Sequence, residues 1–237
     1  MTTINYRSIS KNKSNKASPA WSLNKVILIL FFYFIVILPL KKVYFRTTPF
    51  LYEYSDILFF LIIIGITIYR KSYYSLGFLK INIRHNIVIG ILAGGTILIT
   101  LPLLDLILEL LNLTSYELFR KKSINTIPNT FDFFSKQFIL IFLIPLVEQV
   151  FFTGIVFQSM IKKINPVIAV YITGLIYTIA GFKLSLGAFG LSTITSLLFL
   201  LTGSLYASII FHACSALGNF ILENIYPRII TILGFLY

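Results

Sequence analysis

The feature that most constrains this chain is a succession of apolar runs, each close to the length of a membrane span and separated by short polar connections. A helix that crosses the hydrocarbon core needs about 20 mostly apolar residues, with a working range of about 17–25. Runs of this kind lie near 23–40, 54–70, 87–111, 137–160, 167–183, 187–201, 204–222 and 225–237. Backbone polar groups in lipid must be satisfied within their own segment, so such runs fold as helices. The pattern predicts an all-α fold, a polytopic transmembrane bundle of about eight helices, the last interrupted near its start by Pro227 and Arg228. Composition agrees. Hydrophobic residues make up 57% and charged residues 12%, the latter about half the soluble norm. No soluble fold hides that much apolar surface, which excludes a soluble enzyme and a nucleic-acid-binding domain. The single cysteine, Cys214, excludes an internal disulfide.

A net charge of +12, from 20 basic and 8 acidic residues, would suggest a nucleic-acid partner in a soluble protein. Here the basic residues lie mostly between apolar runs, where they set membrane orientation. With the N-terminus cytoplasmic, 11 basic residues fall inside and nine outside, a small bias towards that orientation in a bacterial-type plasma membrane. Residues 1–25 carry Arg7, Lys11, Lys13, Lys16 and Lys25 without an acid and read as a disordered basic tail. An acid-free, Ser-rich start also fits an organelle transit peptide. Residues 26–237 then form one transmembrane domain. Pro102 and Pro145 fall inside apolar runs, where proline removes a helix hydrogen bond and kinks the helix.

Ionisable groups within spanning helices are costly and mark candidate sites. Asp56 lies near a helix start, where an acid is favoured by the helix dipole. Asp105 and Glu109 are four apart near a helix end, and His85 sits beside Arg84; all read as solvated edges. Glu148 differs. It stands among Ile-Pro-Leu-Val and Val-Phe-Phe neighbours with nothing basic within four residues. A carboxylate so placed is held neutral or paired with another helix. His212 is equally deep in its run. His212 reads either as a core histidine bonded to a backbone carbonyl or hydroxyl or as a functional group, and the two residues are either catalytic or a structural pair that joins two helices.

Three stretches together resemble the CPBP family of CAAX proteases and bacteriocin-processing or immunity proteins, also called the Abi family. Glu148-Gln149-Val150-Phe151-Phe152-Thr153-Gly154 is similar to the family's Glu-Glu-x-x-Phe-Arg-Gly, with Gln149 at the second Glu and Thr153 at the Arg. Ile176-Tyr177-Thr178-Ile179-Ala180-Gly181 stands where the family has Leu-Phe-Ala-x-x-His, with Tyr177 for Phe and Gly181 for His. Thr202-Gly203-Ser204-Leu205 precedes His212 at the family's offset, and Ala216 replaces the usual Asn. Asn165-Pro166 and Ser75-Leu76-Gly77-Phe78 resemble two family turns. The likeness spans roughly 50–237 and is strongest over 145–220.

The resemblance implies an intramembrane glutamate-type endopeptidase fold. In that mechanism the first Glu and the second-motif His activate a water, and the third-motif His and Asn stabilise the oxyanion. Glu148 and His212 are the retained positions; Gly181 and Ala216 carry no group for either task. Gln149 and Thr153 replace a Glu–Arg pair together, which avoids the cost of about 3–5 kcal/mol for one unpaired buried charge. The pair keeps the ability to hydrogen-bond at i and i+4. The expectation is a family fold with lost or strongly reduced peptidase activity, acting as a scaffold, regulator or immunity-type protein. Two alternatives stay open: an active endopeptidase with a rearranged site that uses Glu148, His212 and a hydroxyl such as Tyr177 or Ser215, and an unrelated transporter or lipid-binding bundle. No metal or other cofactor motif is visible. The expected partners are the lipid bilayer and a membrane protein or membrane-anchored peptide, without nucleic acid.

Overall fold

The computed structural model describes residues 21–71, 73–79, 82–111, 136–181 and 185–225. The expected tail before residue 21 and the helix near 225–237 lie outside these residues, except that helix α1 already begins at Leu23. Seven helices run through the described residues: α1 Leu23–Val43, α2 Pro49–Arg70, α3 Ile83–Leu110, α4 Lys136–Met160, α5 Pro166–Ala180, α6 Leu186–Thr202 and α7 Leu205–Asn224. Five are long and apolar enough to cross a membrane; α5 and α6 are shorter apolar helices. The chain is an integral membrane protein of all-α class.

The helices alternate in direction. At one end of the bundle the Trp21 indole donates to Thr67 Oγ1 at 2.7 Å, joining the start of α1 to the end of α2. The turn around Gly77 docks at the same end. Gln158 Nε2 donates to Leu76 O at 2.8 Å, and Leu205 N donates to Gly77 O at 3.1 Å. Gly77 has φ +100°, the left-handed region that favours glycine. Gly154 lets this turn approach, since a Cβ there would stand 2.7 Å from Leu76 O. The opposite end carries the end of α1 and the starts of α2, α4 and α6. There Lys136 Nζ on α4 meets Glu53 Oε1 on α2 at 2.9 Å.

Helices α3 and α7 run parallel in close contact. A Cβ on Gly90 would lie 2.9 Å from Ala207 O, and one on Gly94 would lie 2.5 Å from Cys214 Cβ. Glycines four apart permit this approach, and without a hydrophobic drive between helices in lipid, close backbone packing is what holds them.

Helices α1 and α4 depart from α-helical winding at defined places. A π turn over Tyr33–Ile37 precedes Pro39, and another over Ile139–Leu143 precedes Pro145. Proline supplies no N–H and crowds the carbonyl four residues back, so the wider turn upstream absorbs the misfit. The break expected at Pro145 takes this form, whereas α3 continues as helix through Pro102 to Leu110. A third π turn covers Phe152–Phe157. The helical segment Ile144–Phe151 between the two turns of α4 carries the candidate site, and π turns of this kind recur at functional sites.

Aromatic rings fill the centre. Phe60 stacks on Phe151 with centroids 4.2 Å apart. Phe152 meets Tyr177 edge-on at 5.0 Å, and Tyr33 lies 5.3 Å from Phe60. Edge-to-face and offset geometries are the favoured ones for such rings. They fix the directions of the Tyr33 and Tyr177 hydroxyls.

Candidate active site

Glu148 stands twelve residues from each end of α4. At about 1.5 Å per residue it sits about 18 Å from either end, near the middle of the helix. Its carboxylate is met from two other helices. The Tyr177 hydroxyl on α5 donates to Glu148 Oε2 at 2.7 Å. His212 Nε2 on α7 lies 3.7 Å from the same oxygen. A buried carboxylate without a basic neighbour in sequence thus finds its partners on other helices.

The next residue builds the second half of the site. The Thr153 hydroxyl donates to Gln149 Oε1 at 2.7 Å, and Gln149 Nε2 lies 3.0 Å from His212 Nδ1. With the amide oxygen occupied by Thr153, the amide nitrogen donates and Nδ1 accepts. The neutral ring then carries its proton on Nε2, aimed at Glu148. Gln149, Thr153 and His212 are all buried. The i, i+4 bond open to Gln149 and Thr153 is formed, and it continues across to α7. The polar side chains Thr153, Gln149, His212, Glu148 and Tyr177 thus form one continuous line across α4, α5 and α7.

A cavity of about 310 Å³ opens on Glu148. Tyr33, Lys41, Glu53, Asp56, Phe60, Tyr177 and Gly181 are among the residues that line it. Lys41 and Asp56 form an ion pair across α1 and α2. The Tyr33 hydroxyl donates to Ala180 O at 3.2 Å, which ties α1 to the end of α5. Gly181 therefore faces the cavity at the place where the family carries a histidine. Its neighbours leave room: a Cβ there would meet only Tyr177 O at 3.7 Å and Thr178 O at 3.8 Å. Ala216 lies one turn beyond His212 on α7, half-buried, and is not part of the cavity wall.

The sequence thus names residues that the fold brings together at Glu148, Gln149, Thr153, Tyr177, Gly181 and His212. It misses Tyr33, Lys41 and Asp56. Asp56 reads as an interfacial acid near a helix start, yet it sits seven residues into α2 beside the cavity. The available signal was a lysine at the end of the preceding apolar run, within reach across one short turn. His85 is exposed, Asp105 is half-buried and Glu109 is exposed, all away from the site.

The arrangement offers a carboxyl group with an imidazole beside it and a phenol already donating to it. Family comparison follows the same residues. Residues 130–218 match the family model described as type II CAAX prenyl endopeptidase Rce1-like. No curated protein and no solved structure matches the chain. The matched segment holds all three motif stretches, so the reading as an unrelated transporter or lipid-binding bundle falls away. The chain is an integral membrane protein whose residues 130–218 are similar to the type II CAAX prenyl endopeptidases.

Proposed function

We propose that this chain is a CAAX-protease-type membrane protein with lost or strongly reduced proteolysis, which binds a membrane-anchored peptide or a membrane protein in the cavity over Glu148. The observation that carries this reading is the occupation of Glu148 Oε2. Tyr177 donates to it at 2.7 Å and His212 faces it at 3.7 Å, while position 181 offers no side chain to hold a water. A general base must reach the proton that it removes. Here one oxygen already accepts from Tyr177, and Ala216 supplies no oxyanion donor. The deciding experiment is turnover of a farnesylated CAAX-type peptide by the purified protein in nanodiscs. Cleavage no faster than that of Glu148→Ala supports the reading; cleavage that Glu148→Ala abolishes overturns it.

One observation favours a second reading. Glu148 and His212 lie 3.7 Å apart beside a cavity large enough for water, as a rearranged but active endopeptidase requires. The same comparison with Glu148→Ala separates the two.

The orientation with the N-terminus cytoplasmic is supported by Lys25, Arg70, Lys71, Arg84, Lys162 and Lys163 at the N-terminal end of the bundle, against Lys41, Lys42, Arg46 and Lys136 at the other among the described residues. It places the cavity mouth on the outer face. Labelling of single cysteines at positions 46 and 163 in a Cys214→Ala background tests it. An impermeant reagent that modifies only position 163 in intact cells refutes it.

A further inference from the structure

The end of the bundle opposite the cavity mouth gathers positive charge without an acidic residue among the described ones. Lys25 stands on the first turn of α1, Arg70 closes α2 with Lys71 directly after it, and Lys162 and Lys163 follow the end of α4. All five are exposed. The stretches 1–52, 57–104 and 149–222, which supply every described segment of this end, contain no Asp or Glu. The other end is built differently: there Lys41 pairs with Asp56 and Lys136 with Glu53.

The five cations share one corner. The Trp21 indole bond to Thr67 Oγ1 pins the start of α1 beside the last turn of α2. The first half of α1 also packs against residues 158–160 at the end of α4, so the Lys162–Lys163 turn lies on the same corner. The Lys25 ammonium stands 5.9 Å from the centroid of the Trp21 ring, within the range of a cation–π contact. Arg84, a further cation at this end, enters instead on α3, which packs on α7. Aromatic residues mark the depth. Tyr69, 92% exposed, and the exposed Tyr73 and Tyr74 stand at this end with the half-buried Trp21. Trp and Tyr collect where lipid headgroups meet the hydrocarbon, so the cations beside them stand at the level of lipid phosphates.

We propose that Lys25, Arg70, Lys71, Lys162 and Lys163 form a binding surface for anionic phospholipid headgroups, at the end of the bundle away from the cavity. The Arg70 guanidinium presents a planar fork that suits two phosphate oxygens, and the lysines add point charges around it. A corner with five cations and no acid attracts a headgroup of net negative charge. It gains little from a zwitterionic one, whose own cation meets the same field. Each Lys or Arg near an anionic surface is worth about fivefold in affinity. The exposed tyrosines beside the cations favour a lipid over an acidic protein segment, which carries the same charge but no chains to lie against them.

Trp21 is the sole tryptophan of the chain and stands in this corner, so its fluorescence reports occupancy directly. The test uses the full-length protein in nanodiscs of mixed phosphatidylcholine and phosphatidylglycerol, with one or the other brominated near the carbonyl end of its chains. Phosphatidylglycerol should quench Trp21 with a relative affinity at least about fivefold above that of phosphatidylcholine. The preference should fall towards parity at about 1 M salt, where the screening length is about 3 Å. Lys162→Gln with Lys163→Gln, and Arg70→Gln with Lys71→Gln, should each remove most of it. Lys42→Gln with Arg46→Gln, at the other end, should leave it unchanged. The comparison of the two lipids on wild-type protein decides the matter even where a variant folds poorly. Equal quenching by both lipids overturns the assignment, and so does a preference that survives high salt or both pairs of substitutions at this corner. A polyglutamate peptide that shifts Trp21 emission where the two lipids quench equally would put an acidic protein partner in the lipid's place.

Discussion

Placing a histidine at position 181 is the most direct test of the proposed loss of activity. Gly181 caps α5 with φ −72° and ψ −8°, a conformation open to any residue. A Cβ there finds its nearest heavy atoms at 3.7 and 3.8 Å, both carbonyls of its own helix turn. The position is exposed towards the cavity that it shares with Glu148. The Cβ of Gly181→His therefore meets no overlap, and the backbone takes it without strain. Replacing glycine where the backbone permits it stabilises by about 0.4–1 kcal/mol through the unfolded state, so thermal stability in detergent should hold or rise. The chemical gain is larger. A positioned acid or base contributes about 10²–10⁴ in rate, and an oxyanion donor about 10²–10³. Gly181→His should raise single-turnover cleavage of a farnesylated peptide by about 10²-fold or more over wild type. Adding Ala216→Asn should add about another 10²-fold. Glu148→Ala in the same background should return both gains to baseline. The reasoning fails if the double variant keeps wild-type thermal stability yet cleaves no faster than its Glu148→Ala counterpart. It fails equally if wild type already turns over and neither substitution raises its rate.

Other outcomes follow from the packing. Thr153→Val removes the donor to Gln149 Oε1 inside a buried network and should cost about 1–3 kcal/mol, read as a lowered unfolding midpoint, whereas Thr153→Ser should restore it. Gly94→Ala places a Cβ 2.5 Å from Cys214 Cβ and should destabilise by about 1–3 kcal/mol; Cys214→Gly in the same chain should recover part of the loss. Tyr177→Phe deletes the donor to Glu148 and should lower stability by about 1–3 kcal/mol, with carbodiimide modification of Glu148 becoming faster as its oxygen is freed.

Much of this architecture is legible from hydropathy because a membrane span is defined by length and polarity alone. The helices from 23 to 222 appear close to where their apolar runs lie, although α5 and α6 stop short of the length of a full span. Glu148 and His212 stand out because an ionisable group in such a run has nowhere inexpensive to go. Their meeting, and the Gln149–Thr153 bond, follow from helix spacing plus motif order. The Lys41–Asp56 side of the cavity is hidden for a physical reason. Periodicity reports which residues share a face of one helix, but not which faces of two helices turn towards each other. Lys41 looks like a flanking cation and Asp56 like a helix-start acid until α1 and α2 are packed. The Gly90–Gly94 spacing was readable, but only the crossing with Ala207 and Cys214 gives it meaning.

The short helices carry a consequence for the bilayer itself. At about 1.5 Å per residue, the 15 residues of α5 reach about 22 Å and the 17 of α6 about 26 Å, against a hydrocarbon core of about 30 Å. A span too short for its bilayer is met by local thinning. The end of α5 and the start of α6 both border the cavity mouth, through Gly181 and Ala188. A lipid surface drawn down at that spot would bring water and headgroups towards Glu148 without the protein opening at all. Membrane thickness then becomes a control on this site. In thick, sterol-like bilayers the dimple costs more and the mouth narrows, while in thin ones a tethered peptide finds the cavity almost at the surface.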